Sequence, residues 1–303
     1  MKKRNAFTMI ELIFVIVVMG IIGKLGTEFL AQAYKSFIFS KVNNELQQNS
    51  AHAVEFIASR LQYRIKDSTI ARQTDETSTP IGIGSATGSD FKVLEWVATD
   101  IDNFRADTTP NWSGIIDLNA SSTALLNSPQ TDTNKIDTLI QTLSYADSTI
   151  ADAALYFIGS GSDIVDGYGW NANLTLINDQ NGTIHPVTQT GNTDEFQSST
   201  GTNFSGVDLY EYNKIAWTAN AIVYEDDGSG KNKGTLTLKY DYQPWKDNGS
   251  GSGENYTNGK SALIMKNVST FRFRAIGSII KIQVCVKSDV VEEYSLCKEK
   301  TIF

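Results

Sequence analysis

The sequence predicts an α+β fold in which one long N-terminal helix packs on an antiparallel β-sheet. Two patterns support this prediction. An uncharged apolar segment from Leu12 to Ile22 continues into apolar positions three or four residues apart, which is the period of an amphipathic helix. From Ile215 onwards, short runs rich in β-branched and aromatic residues alternate with turns that contain Gly, Asn and Asp, as in an antiparallel meander.

Composition and charge narrow the class of protein. The 303 residues can form one large or two ordinary domains with a substantial core. The chain has 26 basic and 34 acidic side chains, for a net charge of −8, and without Lys2, Lys3 and Arg4 the balance is 23 against 34. Because phosphate binding relies on clustered Lys and Arg, and no cluster occurs beyond these three residues, nucleic acid is not an expected partner.

The N-terminus combines a short basic stretch with an apolar run. Met1 to Ala6 is followed by Phe7-Thr8-Met9-Ile10-Glu11-Leu12, which opens the apolar segment. A secretory signal would close its apolar core with a small-x-small cleavage site, whereas this run continues past Gly23 into a helical pattern. The sequence therefore predicts an apolar helix that stays in the mature protein and anchors it in a membrane.

These residues resemble the processing signal of type IV pilins and type II secretion pseudopilins. The resemblance implies that a prepilin peptidase of the inner membrane cleaves between Ala6 and Phe7 and methylates the new amine of Phe7. Glu11 is then the acidic residue five positions into the mature chain. Two positions depart from the family: Ala6 stands where Gly is usual, and Glu28 stands where many major pilins have a helix-kinking Pro. The resemblance is confined to this N-terminal segment.

Glu11 places a carboxylate inside an apolar membrane segment, at a cost on the order of 2.5–3.5 kcal/mol on insertion scales. Lys24 is too far along the helix to pair with it, and cleavage would remove the basic leader. The amine of Phe7, in the same chain or in a neighbouring subunit, is the expected partner. The resemblance implies that Glu11 pairs with the N-terminal amine of a neighbouring subunit during filament assembly. The alternative is a Glu11 side chain that only reaches towards the membrane interface.

The helix is predicted to run from Phe7 to about Lys66, or near 90 Å at about 1.5 Å per residue. A bilayer core takes only about 30 Å of this length. After the leader 1–6, we assign 7–28 to the transmembrane and assembly helix and 29–71 to its amphipathic continuation. The apolar stripe of the continuation comprises Leu30, Tyr34, Ile38, Val42, Leu46, Ala53, Ile57, Leu61 and Ile65. We expect it to pack on the β-sheet; a coiled-coil stalk is disfavoured because strict heptads are not sustained.

The head is predicted in two parts, an irregular middle region 72–212 and an antiparallel sheet 213–303. No periodicity survives from 73 to 90, so a loop is expected there. In the middle region we expect a helix at 134–143 and strands at 91–98, 154–158 and 174–177. In the C-terminal sheet we expect strands at 215–224, 235–242, 262–265, 270–275, 279–287 and 293–302.

The two cysteines are predicted to form a disulfide. Cys285 and Cys297 each alternate with polar residues along a predicted strand, which places both on a polar face. If the hairpin turns around Val291, the two positions stand opposite each other, since each is equally far from it. We therefore predict an exposed cross-strand disulfide, whereas two free thiols are the alternative, disfavoured because free Cys is usually buried.

No motif predicts catalysis, so we expect neither enzymatic activity nor a cofactor. His52 and His185 are the only histidines, and neither lies in a metal or triad motif. The acidic turn that contains Asp226 and Asp227 supplies oxygen atoms as candidate calcium ligands. It does not match the twelve-residue calcium loop with its terminal Glu, so a solvated turn is preferred.

The expected function is that of a structural minor subunit of a type IV pilus or a type II secretion pseudopilus. Its partners would be the prepilin peptidase, other pilin or pseudopilin subunits and the inner membrane. The head would lie in the periplasm or on an extracellular filament. A bulky head on one helix would crowd a close-packed filament, which favours a place at the tip. The alternative is a pilus-tip binding module, an adhesin on the same anchor.

Overall fold

The computed structural model describes residues 8–73, 78–161, 163–179, 181–200, 203–229, 233–291 and 293–303. Ala6 and Phe7, between which cleavage is predicted, lie outside these residues. The fold is α+β, as the sequence predicts. The α-helices of the described residues are α1 Met9–Leu61, α2 Ile101–Arg105, α3 Thr133–Leu143 and α4 Leu174–Asn178. Its strands are β1 Ile70–Arg72, β2 Ile81–Gly82, β3 Val93–Ala98, β4 Leu125–Asn127, β5 Ala154–Phe157, β6 Ile184–Gln189, β7 Glu195–Ser198, β8 Asn213–Ala216, β9 Thr218–Asp226, β10 Gly234–Tyr240, β11 Lys260–Ile276, β12 Ile279–Lys287 and β13 Ser295–Ile302.

Helix α1 ends earlier than its apolar period suggests. After Leu61 the chain forms backbone hydrogen bonds with the end of β3 and the residue after it. The amide of Ile65 donates to the carbonyl of Val97 at 2.9 Å, and the amide of Thr99 donates to the carbonyl of Tyr63 at 2.9 Å. These bonds satisfy backbone groups that further helical turns would otherwise have used. The predicted helix end near Lys66 and the predicted boundary at residue 71 are therefore both too late, and β1 already belongs to the head.

The apolar stripe of α1 divides into a buried and an exposed part. Its C-terminal members Val42, Leu46, Ala53, Ile57 and Leu61 are buried against the head. There they pack with Phe271, Ile282, Val284 and other side chains of β11 and β12. Leu30 and Tyr34 are each 67% exposed. The prediction that the stripe packs on the sheet thus holds only for its C-terminal part.

The larger sheet has eight antiparallel strands in the order β13-β12-β11-β10-β9-β3-β1-β2. Helix α1 lies across β13 and β12, so the C-terminal meander forms the surface on which the helix packs. Strand β11 is continuous, although two strands were predicted here. A register shift between Val268 and Thr270 absorbs the irregularity, and Asn267 adopts a positive φ of 59°. A bulge of this kind bends a strand without ending it.

The middle region forms a second sheet rather than an irregular insertion. Its order is β4-β7-β6-β5-β8, again antiparallel. Its core contains Leu126, Ile136, Leu155, Phe157 and Phe196, which are buried with other apolar side chains of this region. The predicted helix at 134–143 and the predicted strands at 91–98 and 154–158 are confirmed in type and within two residues in position.

Two further predictions in the head are corrected. The single strand expected at 215–224 is split at Trp217, so that β8 pairs with β5 in the smaller sheet and β9 pairs with β3 in the larger one. The strand expected at 174–177 is the short helix α4. Leu174 and Ile177 are both buried, and residues three apart share a face of a helix. A pattern of only four residues does not distinguish a helix from a strand.

Candidate functional site

The exposed part of α1 presents a long run of apolar side chains to its surroundings. It contains an 18-residue window that is long and apolar enough to cross a membrane, and none of this window is buried. Most large apolar side chains of the exposed part are more than two-fifths exposed: Met9, Ile10, Leu12, Ile13, Phe14, Val15, Ile16, Val17, Met19, Ile21, Ile22, Leu25, Phe29, Leu30, Tyr34, Phe37 and Phe39. A core helix of a soluble protein would be covered by its own head. This segment needs lipid or other helices as its cover.

Glu11 lies in the first turn of this exposed helix. The backbone amide of Thr8 donates to its Oε2 at 2.9 Å, and the hydroxyl of Thr8 donates to the same atom at 2.8 Å. Among the described residues Thr8 is thus its hydrogen-bond partner, and no described cation forms an ion pair with it. A carboxylate at this position complements the positive end of the helix dipole. Phe7, whose amine is the predicted partner of this carboxylate, lies outside the described residues.

Lys24 and Glu28 end the uncharged part of the helix. Their side chains form an exposed ion pair at 3.8 Å, one turn apart. A bilayer core of about 30 Å takes about twenty helical residues, so a span that begins near Met9 reaches about as far as Glu28. In a bilayer, the aromatic and aliphatic residues beyond Glu28 would lie at or outside the membrane interface.

The hairpin of β12 and β13 touches the helix where the exposed and buried parts meet. The ring centroids of Phe39 and Tyr294 are 4.9 Å apart, and the hydroxyl of Tyr294 donates to Oδ1 of Asn43 at 2.8 Å. The tip of this hairpin contributes Val291 to an apolar groove shared with Tyr34. The turn that sets the register of the cysteines thus also fixes the head on the helix.

Cys285 and Cys297 face each other in the register of β12 and β13 and are joined by a disulfide. Cys285 is 7% exposed whereas Cys297 is exposed. The pairing agrees with the sequence-based register, but the expectation that both cysteines are exposed is wrong for Cys285. It is buried because β12 is an interior strand of the sheet, flanked by β11 and β13, whereas β13 is an edge strand.

Replacing both cysteines by serine is expected to lower the free energy of unfolding by roughly 3 kcal/mol, the chain-entropy value for a loop of this length. Unfolding can be followed by tryptophan fluorescence, since all five tryptophans lie in the head. A reductant should shift the midpoint of the wild-type chain and leave that of Cys285→Ser/Cys297→Ser unchanged. Equal midpoints for the wild-type chain with and without reductant would contradict this expectation.

A buried ion pair crosses the larger sheet. Nε of Arg72 donates to Oε1 of Glu95 at 2.5 Å, and its two terminal nitrogens donate to the carbonyls of Ser78 at 3.0 Å and Trp170 at 2.7 Å. The hydroxyl of Tyr242 donates to the other oxygen of Glu95 at 3.0 Å. Burial raises the pKa of Glu95, and the Arg72 guanidinium opposes this shift. Glu95 is fully buried and Arg72 is 4% exposed, so the pair belongs to the interior of the head.

The two histidines lie on different elements, His185 in β6 and His52 on α1. His185 lies in β6, 3% exposed, with its ring centroid 5.5 Å from that of Phe157. Burial lowers the pKa of His185 to about 4. His52 is exposed on α1. Across the described ranges, no group of three or more His, Cys, Asp or Glu side chains is arranged to hold a metal ion.

The acidic turn uses its carboxylates to bond its own backbone. Oδ1 of Asp226 accepts from the amide of Gly228 at 2.8 Å, and Oδ1 of Asp227 accepts from Ser229 at 2.8 Å. These are local turns in which the side chain replaces a backbone acceptor. Gly230 lies outside the described residues. The candidate calcium ligands Asp226 and Asp227 thus each use one carboxylate oxygen within the turn.

Asp100 is a buried carboxyl that sequence reasoning did not single out. It caps α2, accepting from the amide of Asn103 at 3.2 Å and from its side-chain amide at 2.8 Å. Burial raises the pKa of Asp100 to about 7, while the bonds from Asn103 oppose the shift. An Asp directly before a short helix is a cap signal, but its burial depends on the surrounding head.

These features define a class of protein: an α+β head on a single helix that is long and apolar enough to cross a membrane. This architecture is compatible with that of the pilins. Comparison with protein-family profiles, with curated proteins and with solved structures gives no match.

Proposed function

We propose that this chain is a structural minor subunit of a type IV pilus or a type II secretion pseudopilus. The observation that carries the proposal is the exposed apolar part of α1, which continues without a break into the helix that anchors the head. One continuous helix of this kind can serve in turn as a membrane anchor and as a packing element between subunits. The resemblance of Lys2 to Leu12 to a prepilin processing signal supports the same function.

In this proposal the chain is a single-pass protein of the inner membrane. The basic residues before Ala6 stay in the cytoplasm, following the positive-inside rule, and the head lies in the periplasm or on an extracellular filament. The prepilin peptidase cleaves between Ala6 and Phe7 and methylates the amine of Phe7. Mass spectrometry of the mature chain should find N-methylated phenylalanine at its first position.

Glu11 has the assembly role in this proposal. Its carboxylate is already held at the helix start by Thr8, so its position is fixed before another subunit arrives. The positively charged amine of a neighbouring mature chain would supply the counter-charge that the apolar surroundings of the carboxylate call for. Pairing and capping are compatible, because a carboxylate can accept several hydrogen bonds.

Replacing Glu11 by leucine is expected to leave membrane insertion intact and to abolish incorporation into filaments. Insertion depends on the apolar run, which the substitution lengthens, whereas incorporation depends on the lost carboxylate. Glu28→Leu is the matched control, since Glu28 is a second exposed glutamate on the same helix, and it should still incorporate. Membrane fractionation and immunolabelling of sheared filaments measure the two steps. Normal incorporation of Glu11→Leu would exclude the proposed role.

A further inference from the structure

The turn that joins β12 and β13 has an apolar tip. Residues 288–291 form this hairpin tip, and Val290 within it is 70% exposed. Turns are usually built from Gly, Pro, Asn, Asp and Ser, a rule that Ser288 and Asp289 follow and the two valines do not. Oγ of Ser288 accepts from the amides of Val290 at 3.1 Å and Val291 at 2.9 Å. The hairpin tip is thus a fixed turn that presents apolar surface.

The hairpin tip borders an apolar groove of about 600 Å³ on α1. The groove is lined by Gln32, Tyr34, Lys35, Ser36, Ile38, Phe39 and Val291. Phe37 is exposed nearby on the same helix. It lies nearly opposite Phe39, because two residues of an α-helix turn by about 200°. The apolar surface beside the hairpin tip thus extends around α1, and it continues the exposed apolar run that begins at Met9.

The hairpin runs along α1 with its tip towards the apolar run. The hydroxyl of Tyr294, next to the tip, donates to Asn43 at 2.8 Å, and Nζ of Lys300 lies 2.5 Å from Oε2 of Glu55. Moving along β13 away from the tip therefore means moving along α1 away from Glu28. Within this hairpin, the tip is the part nearest to the predicted membrane span.

The distance of the hairpin tip from this span matches the polar layer of a bilayer. Tyr34, which lines the groove together with Val291, is six residues or about 9 Å beyond Glu28. The polar layer adds about 5–8 Å on each side of the hydrocarbon core. Membrane helices tilt by about 20° on average and by up to about 40°. A tilt towards the hairpin lowers its tip into the polar layer.

A lipid bilayer suits this surface better than a single protein partner does. Apolar side chains on opposite sides of α1, such as Phe37 and Phe39, need cover all round, which lipid provides and one partner helix does not. Tyr34 belongs to a residue type that is enriched at membrane interfaces. We propose that α1 tilts towards the β12–β13 hairpin, so that the hairpin tip and the groove rest in the polar layer of the membrane. The inference rests on the anchoring role of α1 in the proposed function.

The charged groups around the hairpin tip are of both signs. Asp289 forms an ion pair with Lys233, whose backbone carbonyl accepts from the acidic turn 225–229. Glu293 is exposed beside the tip, and Lys35 lines the groove. This mixture favours neither anionic nor zwitterionic lipid. The contact therefore depends on apolar area and should be the same on both kinds of membrane.

Added tryptophans test this contact in lipid nanodiscs that hold one full chain each. Val290→Trp reports on the hairpin tip. Ile276→Trp is the matched control, since Ile276 is 68% exposed in the turn at the other end of β12. Ile16→Trp lies in the apolar run and reports on the insertion of α1. Brominated lipids quench tryptophans that touch them, and the wild-type chain gives the background of its five native tryptophans.

We expect brominated lipid to quench Val290→Trp and Ile16→Trp and to leave Ile276→Trp at the wild-type background. Bromine near the carbonyl end of the acyl chains should quench Val290→Trp more than bromine near the methyl end, because the polar layer is shallow. All three variants should keep the unfolding midpoint of the wild-type chain, since each added side chain is exposed.

Two results would overturn the contact and leave the anchoring role intact. One is quenching of Ile16→Trp without quenching of Val290→Trp, and the other is equal quenching of Val290→Trp and Ile276→Trp. A blue shift of Val290→Trp that occurs without quenching, and only in discs with several chains, would assign the hairpin tip to a second copy and overturn the proposal as well. Absence of quenching in both Val290→Trp and Ile16→Trp would overturn the anchoring role itself.

Discussion

Replacing Arg72 by methionine is expected to lower the free energy of unfolding by about 3–5 kcal/mol, the usual cost of leaving one member of a buried ion pair alone. The carboxylate of Glu95 would keep its hydrogen bond from Tyr242 but lose its counter-charge in a fully buried site. The carbonyls of Ser78 and Trp170 would lose their donors as well. Urea unfolding followed by tryptophan fluorescence measures the loss.

A double-mutant cycle separates the pair from its surroundings. Arg72→Met/Glu95→Gln should be more stable than Arg72→Met alone, because the second substitution removes the unpaired charge. Lys281 and Glu299 provide a matched control on the same sheet: their side chains are 2.8 Å apart and each is 52% exposed. Breaking the pair of Lys281 and Glu299 should lower the free energy of unfolding by less than about 1 kcal/mol. Additive losses in the Arg72 and Glu95 cycle would show that the buried pair is not coupled.

The contribution of Asp100 to the stability of the head is expected to fall as the pH rises from 4 to 7. Its pKa is raised from 3.8 to about 7 in the folded chain, so in this window the folded state holds a proton that the unfolded state has lost. The contribution is fully present below the unfolded pKa, is lost as the pH rises through the folded pKa, and amounts to on the order of 4 kcal/mol. Asp100→Asn should remove this slope while keeping a residue that can cap α2.

His185 is expected to act in the opposite direction. Its pKa is lowered to about 4 by burial, so its contribution is present above the unfolded pKa of about 6.5 and is lost as the pH falls through the folded pKa. The two groups oppose each other between pH 4 and pH 6.5, and the wild-type profile should be flatter than either variant. Unfolding midpoints from pH 4 to pH 8 for the wild-type chain, Asp100→Asn and His185→Gln test this. Parallel profiles for the wild-type chain and Asp100→Asn would contradict the role of Asp100.

The order of elements along the chain could be predicted where a local pattern was long. Helix α1 has many turns of periodic apolar residues, so its type and its continuation past the membrane segment were predictable. The register of Cys285 and Cys297 was predictable because a hairpin fixes the pairing of both strands from the position of its turn. The type of a short element was not predictable. Helix α4 shows this, since four residues with two apolar positions fit either a helix or a strand.

The sequence by itself determined that one apolar helix precedes a β-rich head, and that Glu11 lies at the start of this helix. Only the tertiary structure decided where the helix ends, because Ile65 bonds to Val97 of β3 and Tyr63 bonds to Thr99 just after that strand. It also brought Arg72 to Glu95. The physical reason is that periodicity reports burial along one element, whereas ion pairs and grooves form between segments that are distant in the chain. Their contacts depend on which surfaces meet when those elements pack.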